Sequence, residues 1–166
     1  MKKVFAIFLA LIIGLSMSAQ IQTKFFGFKL GTSTKSEVHN KYKNEKNFLE
    51  EDGVIYVGDL KFAGHEWGVT AFGFYNNKLM YVAFTDQEPS TTFQLMELTW
   101  KDIKNRLSDK YSDYYINTTP SRIYYSDGST NLSFGLSDET GTMMLMLYYS
   151  NIALKEQERQ AEEDEL

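Results

Sequence analysis

The stretch FGFYNNKLMYVAFTD, residues 72–86, contains two apolar segments separated by a pair of asparagines. Asn76 and Asn77 tolerate the positive φ angles that a two-residue hairpin turn needs, so the stretch predicts two antiparallel strands. Aromatic and β-branched side chains are frequent in both segments, as is typical of strands. We therefore expect an antiparallel sheet at the centre of the fold.

The rest of the chain repeats this pattern, which indicates an internal duplication. Four pairs of segments match in residue class, at offsets between 62 and 68: residues 34–42 with 99–107, 54–59 with 122–127, 72–74 with 134–136, and 79–86 with 144–151. The order of the segments is kept, and the length changes fall between them, where loops accept insertions. Each half is therefore predicted to be one helix followed by three or four antiparallel strands. The alternative is coincidence among aromatic-rich strands.

Both predicted helices have the same starting signal. Thr34 and Thr99 can each act as an N-cap by accepting a hydrogen bond from a backbone N–H. An acidic side chain follows three residues later in each case, Glu37 or Asp102, where it favours the positive end of a helix. The sequence thus predicts helices that begin directly after Thr34 and Thr99.

The predicted fold class is α+β, with two tandem helix-plus-antiparallel-strands repeats that form a two-layer domain of sheet and helices. The repeats cover about residues 24–86 and 91–151 within one domain, residues 20–151. Residues 152–166 carry many acidic side chains and are predicted to form an acidic helical tail. The 166 residues suffice for one domain with a substantial core, to which 12 Phe and 11 Tyr contribute.

The first 19 residues are predicted to be a secretory signal peptide. Lys2 and Lys3 precede an apolar run at residues 4–15, and mostly small residues follow at 16–19. The run is shorter than the roughly 20 apolar residues that span a bilayer, and no later stretch of the sequence reaches that length. We expect an exported protein, periplasmic or secreted, without a membrane span.

The composition argues against several partners and chemistries. Without residues 1–19 the chain keeps 15 basic and 22 acidic side chains, a net charge of −7, which disfavours nucleic acid as a partner. No cysteine is present, which excludes disulfides, a thiol nucleophile and a lipid-bearing cysteine.

A eukaryotic origin is the alternative to a bacterial one. Residues 163–166 are similar to an endoplasmic-reticulum retrieval signal, and Asn117 and Asn131 begin glycosylation sequons. Against this, the retrieval signal has Lys or His where the chain has Glu163. The short Lys-Lys start and the lack of cysteine are typical of a bacterial exported protein.

The alternation of residues predicts which sheet face is buried. Leu132, Phe134 and Leu136 alternate with polar or small residues, which assigns them to the core. The duplication transfers this assignment to Phe72 and Phe74. The opposite face is then more apolar than a solvated face normally is, so we expect a binding surface, a strand buried on both sides, or cover by the acidic tail. The partner-binding candidates are Trp67, Tyr75, Met80, Val82, Phe84, Leu145, Leu147 and Tyr149.

His65, Glu66 and Trp67 combine residue types used in catalysis, yet we predict a structural role for them. A zinc-protease motif would need a second histidine at position 69, where the chain has valine. One histidine does not make a zinc site. We expect these residues to form the lip of a sheet, with tight turns at Gly64 and Gly68.

The pattern of oxygen ligands in residues 127–138 is similar to a calcium-binding loop. Leu132, however, occupies the position of the loop's glycine, and a hairpin turn explains the segment without metal. Neither a nucleophile elbow nor a phosphate-binding loop occurs in the sequence. We expect no cofactor, no metal site and no enzyme activity.

Together these motifs resemble a known architecture. A short strand before residues 31–38, a helix and a hairpin-built sheet, repeated in tandem, are similar to the exported β-lactamase-inhibitor-protein-like (BLIP-like) group. That group is related in shape to small outer-membrane lipoproteins of the SmpA/OmlA type. Residues 25–31 and 60–67 also resemble small exported proteins of Bacteroidetes. The resemblance covers about residues 24–151 and implies the group's fold and non-catalytic protein recognition, but no residue of either functional surface can be matched to this chain.

We expect an exported, non-catalytic interaction module that binds a protein or an envelope component through an exposed sheet face. A carrier of a small apolar ligand is the alternative, and an enzyme of unknown type is the third. A closed cavity lined by Met80, Val82, Phe84, Leu145 and Leu147 would favour the carrier, and an open apolar patch would favour the module. Polar groups that converge on the histidine of the lip would favour the enzyme.

Overall fold

The computed structural model of the protein describes residues 20–89, 93–139 and 142–164. The predicted signal peptide, residues 1–19, lies outside these ranges. Within them the chain forms three α-helices and a large antiparallel sheet, so the predicted combination of helices with an antiparallel sheet is confirmed. In chain order the elements are β1 (Lys24–Phe25), β2 (Phe28–Lys29), α1 (Lys35–Tyr42), β3 (Phe48–Glu51), β4 (Val54–Phe62), β5 (His65–Tyr75), β6 (Lys78–Pro89), α2 (Phe93–Tyr111), a short 3-10 helix (Ser112–Tyr114), β7 (Tyr115–Thr118), β8 (Arg122–Ser126), β9 (Thr130–Glu139), β10 (Thr142–Asn151) and α3 (Ile152–Asp164).

Eight of the described strands form one antiparallel sheet, in the order β3-β4-β5-β6-β10-β9-β8-β7. β6 and β10 pair at its centre, and β3 and β7 are its two edges. β1 and β2 form a separate short hairpin. The four strands of this sheet that precede α2, β3 to β6, therefore occupy one half of it, and the four that follow α2, β7 to β10, occupy the other half.

The two predicted helix starts have different outcomes. At α1, Thr34 is the N-cap, and its hydroxyl accepts the Glu37 N–H while the Glu37 carboxylate accepts the Thr34 N–H at 2.6 Å, as predicted. At α2 the prediction is wrong, because strong helix formers at residues 94–98 extend the helix backwards. Thr99 lies within that helix, and its hydroxyl donates to the carbonyl of Leu95.

Positive φ angles mark two tight turns in the first half of the sheet. Asn76 and Asn77 have φ angles of 48° and 59°, which confirms the predicted hairpin turn between β5 and β6. Ala63 and Gly64, at 53° and 76°, form a similar turn between β4 and β5. Gly68 lies inside β5 instead of at a turn, so that part of the lip prediction is wrong.

One face of the sheet, which we call the core face, is covered by α1, α2 and the β1–β2 hairpin. Phe72 and Phe134 both lie on it and are fully buried. Tyr42 of α1 stacks on Phe72 with ring centroids 5.8 Å apart, and the Ser108 hydroxyl of α2 lies 3.0 Å from the Tyr125 hydroxyl. Each large apolar side chain buried here stabilises the fold by about 1.5–3 kcal/mol.

A β-bulge reverses the face that the sequence predicts for the side chains of β6. Without it, the two-residue turn would pair Phe72 with Tyr81 and set Val82 and Phe84 on the opposite face. In the structure the register shifts beside Gly73, so that Phe72 pairs with Val82. One extra residue thus moves every following side chain of β6 to the other face.

The opposite face, which we call the outer face, carries a row of directly paired residues across all eight strands. In strand order they are Leu49, Tyr56, Ala71, Ala83, Tyr148, Ser133, Tyr124 and Asn117. α3 lies against one corner of this face, where the Tyr75 hydroxyl donates to the carbonyl of Gln157 at 3.2 Å. Helices therefore lie on both sides of the sheet, and much of the outer face stays uncovered by them.

Candidate functional site

The eight predicted partner-binding residues do not form an exposed surface. Seven of them are buried: Trp67, Met80, Val82, Phe84, Leu145, Leu147 and Tyr149. Leu147 pairs directly with Phe84 on one side and with Phe134 on the other, so these side chains share the core face. The prediction that the seven residues are exposed is therefore wrong. The error in β10 follows from the one in β6, because the predicted duplication transfers the face assignment between them.

The eighth residue, Tyr75, lies half-buried on the outer face beside α3. The helix is fixed at its start by Asn151, whose side-chain oxygen accepts the Leu154 N–H at 3.0 Å. Leu154 is buried. The acidic tail thus covers the corner of the outer face that contains Tyr75, which is one of the alternatives that the sequence leaves open.

His65 and Trp67, which the sequence assigns to the lip of the sheet, belong to a hydrogen-bonded cluster where β4, β5 and β6 meet. His65 Nε2 lies 2.5 Å from Asp86 Oδ2, and Asp86 Oδ1 accepts the Gly68 N–H at 2.7 Å. Trp67 is fully buried, and its indole N–H donates to the carbonyl of Phe62 at 3.0 Å. These contacts connect the three strands, so both His65 and Trp67 have structural partners within the sheet.

The first edge of the sheet, β3, carries negative charge. Glu50 and Glu51 end this strand, and Glu50 pairs with two side chains of α1, Lys35 at 2.7 Å and His39 Nδ1 at 2.8 Å. The hydrogen bond from Lys35, followed by that from His39, lowers the pKa of the Glu50 carboxyl. Charged side chains on an edge strand disfavour pairing with a further strand.

The second edge, β7, is uncharged. All four residues of Tyr115–Thr118 are exposed, and Tyr115 and Ile116 expose 48% and 58% of their surface. Within the described sheet only β8 pairs with β7, so backbone N–H and C=O groups on the other side of β7 have no neighbouring strand. An uncharged edge with exposed apolar side chains can accept an extended polypeptide as an additional strand.

A groove of about 470 Å³ adjoins β7 on the outer face. It extends from β7 across β8 and β9 to β10. Its ten lining residues include no charged side chain, and among them are Ile116, Asn117, Tyr124, Asn131, Ser133 and Tyr148. Aromatic rings next to amide and hydroxyl groups form a surface that suits neutral groups of moderate size.

Burial raises the pKa values of two of the phenols at this groove. It raises the pKa of Tyr148 to about 12, although the hydrogen bond with Ser150 acts in the opposite direction. Burial also raises the pKa of Tyr125, against the effect of its hydrogen bond with Ser108. At neutral pH the groove therefore offers uncharged hydrogen-bond donors and acceptors.

The segment that is similar to a calcium loop is a hairpin turn, as predicted. Asp127 Oδ1 accepts the N–H groups of Ser129 and Thr130 at 2.9 Å and 2.8 Å, which closes the connection between β8 and β9. Within the residues that the structure describes, no group of three or more His, Asp or Glu side chains is arranged to hold a metal ion.

The strand β7 and its groove were missed because both depend on the order of strands in the sheet. Two sequence signals were present, one for the bulge that reverses β6 and one for the difference in charge between the two edges. Gly73 stands inside a strand, where glycine indicates a bulge or a close approach, and a Cβ there would lie 2.0 Å from the ring of Tyr81. Residues 115–121, YINTTPS, contain no charge, whereas residues 48–52, FLEED, contain three.

In comparisons with known proteins, no family model, curated protein or solved structure matches the chain. The evidence on function therefore comes from the geometry of the structure. The resemblance to the BLIP-like group therefore stays a prediction. Among the helices of residues 20–89, 93–139 and 142–164, none is both long and apolar enough to cross a membrane.

Proposed function

We propose that this protein is an exported, non-catalytic binding module that captures an extended segment of another polypeptide by strand addition at β7. One observation carries the proposal: the uncharged, exposed edge strand adjoins an open, uncharged groove of about 470 Å³. The proposal keeps the sheet-based binding that the sequence predicts and assigns it to other residues.

Backbone hydrogen bonds would supply much of the affinity. An extended segment beside β7 pairs with the N–H and C=O groups on the open side of that strand, and each such bond contributes about 0.5–1.5 kcal/mol. Side chains alternate between the two faces of a sheet. Every second side chain of the bound segment therefore lies on the outer face, beside the groove.

The groove would select among segments by their side chains. Ile116 offers an apolar contact at its mouth, and the rings of Tyr124 and Tyr148 offer aromatic surface further in. Asn117 and Asn131 add amide groups that can bond a polar side chain. Because burying a charge without a partner is costly, the groove favours neutral aromatic, aliphatic or amide side chains over charged ones.

We infer further that the two halves of the sheet are copies of one unit. The row of directly paired residues on the outer face supports this, because the offsets between its two halves are those found in the sequence. The related pairs are Leu49 and Asn117 (offset 68), Tyr56 and Tyr124 (68), Ala71 and Ser133 (62), and Ala83 and Tyr148 (65). Ala83 pairs directly with its own counterpart, Tyr148, at the centre of the sheet. That pairing is what a two-fold relation between the halves requires, and it makes β3 and β7 counterparts.

A display library of random peptides tests the proposed binding. The library is selected on three immobilised forms of the protein: the native form, Ile116→Lys and Leu49→Lys. Leu49 is the matched control, because it is an apolar residue exposed to 53% on the other edge of the same sheet. Lysine at position 116 places a charge on the edge and at the mouth of the groove, which disfavours strand addition.

Peptides enriched on the native protein should bind Leu49→Lys with an affinity within about twofold of the native value. They should bind Ile116→Lys at least about tenfold more weakly, which corresponds to a loss of about 1.4 kcal/mol or more in binding free energy. Far-ultraviolet circular dichroism of both variants verifies that they are folded. Equal binding to all three forms, selective loss on Leu49→Lys, or a failure to enrich any peptide would contradict the proposal.

A further inference from the structure

A second cavity lies on the other side of the sheet, between α2 and the turn that joins β4 to β5. It has a volume of about 290 Å³. One wall is a single face of α2, formed by Ile103, Arg106, Leu107 and Lys110 at the spacing i, i+3, i+4 and i+7. The cavity shares no lining residue with the β7 groove.

The lining of this cavity is divided into an apolar interior and a cationic mouth. Ile103 and Leu107 are buried, and Phe62 lines the interior beside them. Arg106 and Lys110, in contrast, are exposed at the mouth. Two cations at one opening are notable in a chain with a formal net charge of −5.

The polar groups in the interior already have partners. The Tyr149 hydroxyl, which is almost fully buried, hydrogen-bonds with that of Tyr111, and burial raises the pKa of Tyr149 well above its ordinary value. The Tyr111 hydroxyl also accepts the backbone N–H of Gln22 at 3.3 Å. No polar ligand group is therefore needed to satisfy these hydroxyls, and an apolar group can fill the interior.

The cations at the mouth retain hydrogen-bonding capacity. Arg106 donates from Nη1 to the carbonyl of Ala63 at 2.6 Å and from Nη2 to Asp102 at 2.7 Å, which leaves further N–H groups of its five. Lys110 Nζ lies 4.9 Å from the centre of the Tyr111 ring and forms no ion pair with another described residue. An anion at the mouth could accept hydrogen bonds from both side chains.

We propose that this cavity binds a small amphiphile with one anionic head group and a short apolar tail, the chemistry of a medium-chain carboxylate. The tail occupies the interior against Phe62, Ile103 and Leu107, and the head group lies between Arg106 and Lys110. The volume of about 290 Å³ is at the lower limit of ligand cavities, so the ligand is small. The site is independent of the strand-addition function, because it lies on the core side of the sheet.

Isothermal titration calorimetry of the purified protein with straight-chain carboxylates of increasing length tests the interior, with the alcohols of equal length as neutral controls. Each added methylene should strengthen binding about fourfold until the cavity is filled, and longer chains should then gain nothing. The carboxylate should bind at least about tenfold more tightly than the alcohol of the same length.

Substitution at the mouth tests the head-group contact. Lys110→Gln should weaken octanoate binding about tenfold and leave octanol binding unchanged, and Lys110→Arg, which keeps the charge, should retain most of the affinity. Lys101→Gln is the matched control, since Lys101 pairs with Glu97 on the same helix outside the cavity. Equal affinity for octanoate and octanol, an unaffected Lys110→Gln variant, or no binding of any chain length would overturn the proposal.

Discussion

The two halves of the sheet share one strand order but end in edges of opposite character. The first half ends at β3, where Glu50 and Glu51 place charge on the edge and Lys35 and His39 of α1 bond to Glu50. The second half ends at β7, where four exposed residues carry no charge and adjoin an open groove. The same topological position is thus protected in one half and open in the other.

This difference shows that folding alone does not require an unprotected edge. β3 demonstrates that a charged edge strand, tied to a helix, is compatible with this arrangement of strands. Charge on an edge prevents unwanted pairing between sheets, so leaving β7 without it exposes the protein to association. An open edge beside a preformed groove is consistent with selection for binding at β7.

The largest expected effect concerns the core positions that the two halves share. Phe72 and Phe134, which the proposed duplication relates to each other, are both fully buried on the core face. Phe72→Ala and Phe134→Ala should each lower the free energy of unfolding by about 3–5 kcal/mol, because each leaves a cavity among aromatic side chains. Urea denaturation monitored by circular dichroism measures both values. If only one variant is strongly destabilised, the halves are not equivalent in packing and the comparison between their edges loses its basis.

A smaller effect is expected at the glycines that follow these two residues. The proposed duplication relates Gly73 to Gly135, but their surroundings differ. A Cβ at Gly73 would lie 2.0 Å from the Tyr81 ring, and one at Gly135 would lie 2.7 Å from Arg122 Nε. Gly73→Ala should cost about 1–3 kcal/mol in unfolding free energy, because an aromatic ring in the bulge must move. Gly135→Ala should cost less, because the long side chain of Arg122 can turn away. Thermal unfolding of the two variants gives the order, and the reverse order would contradict the assigned role of the bulge.

Two aspartates, Asp127 in the turn before β9 and Asp59 within β4, are expected to differ in their contribution to pH-dependent stability. Burial alone would raise the pKa of Asp127, but hydrogen bonds from Ser129, Thr130 and Ile21 produce a net lowering. The carboxylate therefore stabilises the fold above its unfolded pKa, and this contribution is lost as the pH falls through the lower folded value. Asp127→Asn should reduce the unfolding free energy by about 1–2 kcal/mol at neutral pH.

The difference between the native protein and Asp127→Asn should shrink on acidification, as measured by urea denaturation at several pH values. Asp59, which the proposed duplication relates to Asp127, is the control. It accepts one side-chain hydrogen bond from Asn47 at 2.5 Å, so Asp59→Asn should change stability less. A difference for Asp127→Asn that stays constant down to strongly acidic pH would show that its charge does not contribute.

The smallest expected effect is on stability at the edges themselves. Ile116→Lys and Leu49→Lys should each change the unfolding free energy by no more than about 0.5 kcal/mol, because both side chains are largely exposed. The measurement is chemical denaturation of the two variants side by side. If the unfolding free energy of Ile116→Lys fell by well above about 1 kcal/mol, the apolar residues of β7 would be needed for folding. Their exposure would then not indicate a binding role.

The features that the sequence predicted correctly depend on residues close together in the chain. Asn76 and Asn77 form the central turn through their own backbone preference, and Thr34 and Glu37 cap α1 across a single helical turn. Local chemistry determines these two features. The same capping pattern failed at Thr99, because the residues before it extend α2.

Two features that the sequence did not predict, the face of β6 and the edge position of β7, depend on non-local pairing. A single extra residue opposite Gly73 turns Val82 and Phe84 to the core face, and both rows of side chains in β10 are apolar enough for either face. The edge position of β7 likewise follows from the pairing of β6 with β10. The candidate site could therefore be recognised only after the strand order was known.

Hydrogen–deuterium exchange of the protein with and without a saturating peptide selected on its native form tests strand addition at β7 most directly. Strand addition predicts new protection of backbone amides within Tyr115–Thr118, while those within Phe48–Glu51 exchange as before. Protection confined to β3, to the helices, or to the outer face without β7 would contradict it.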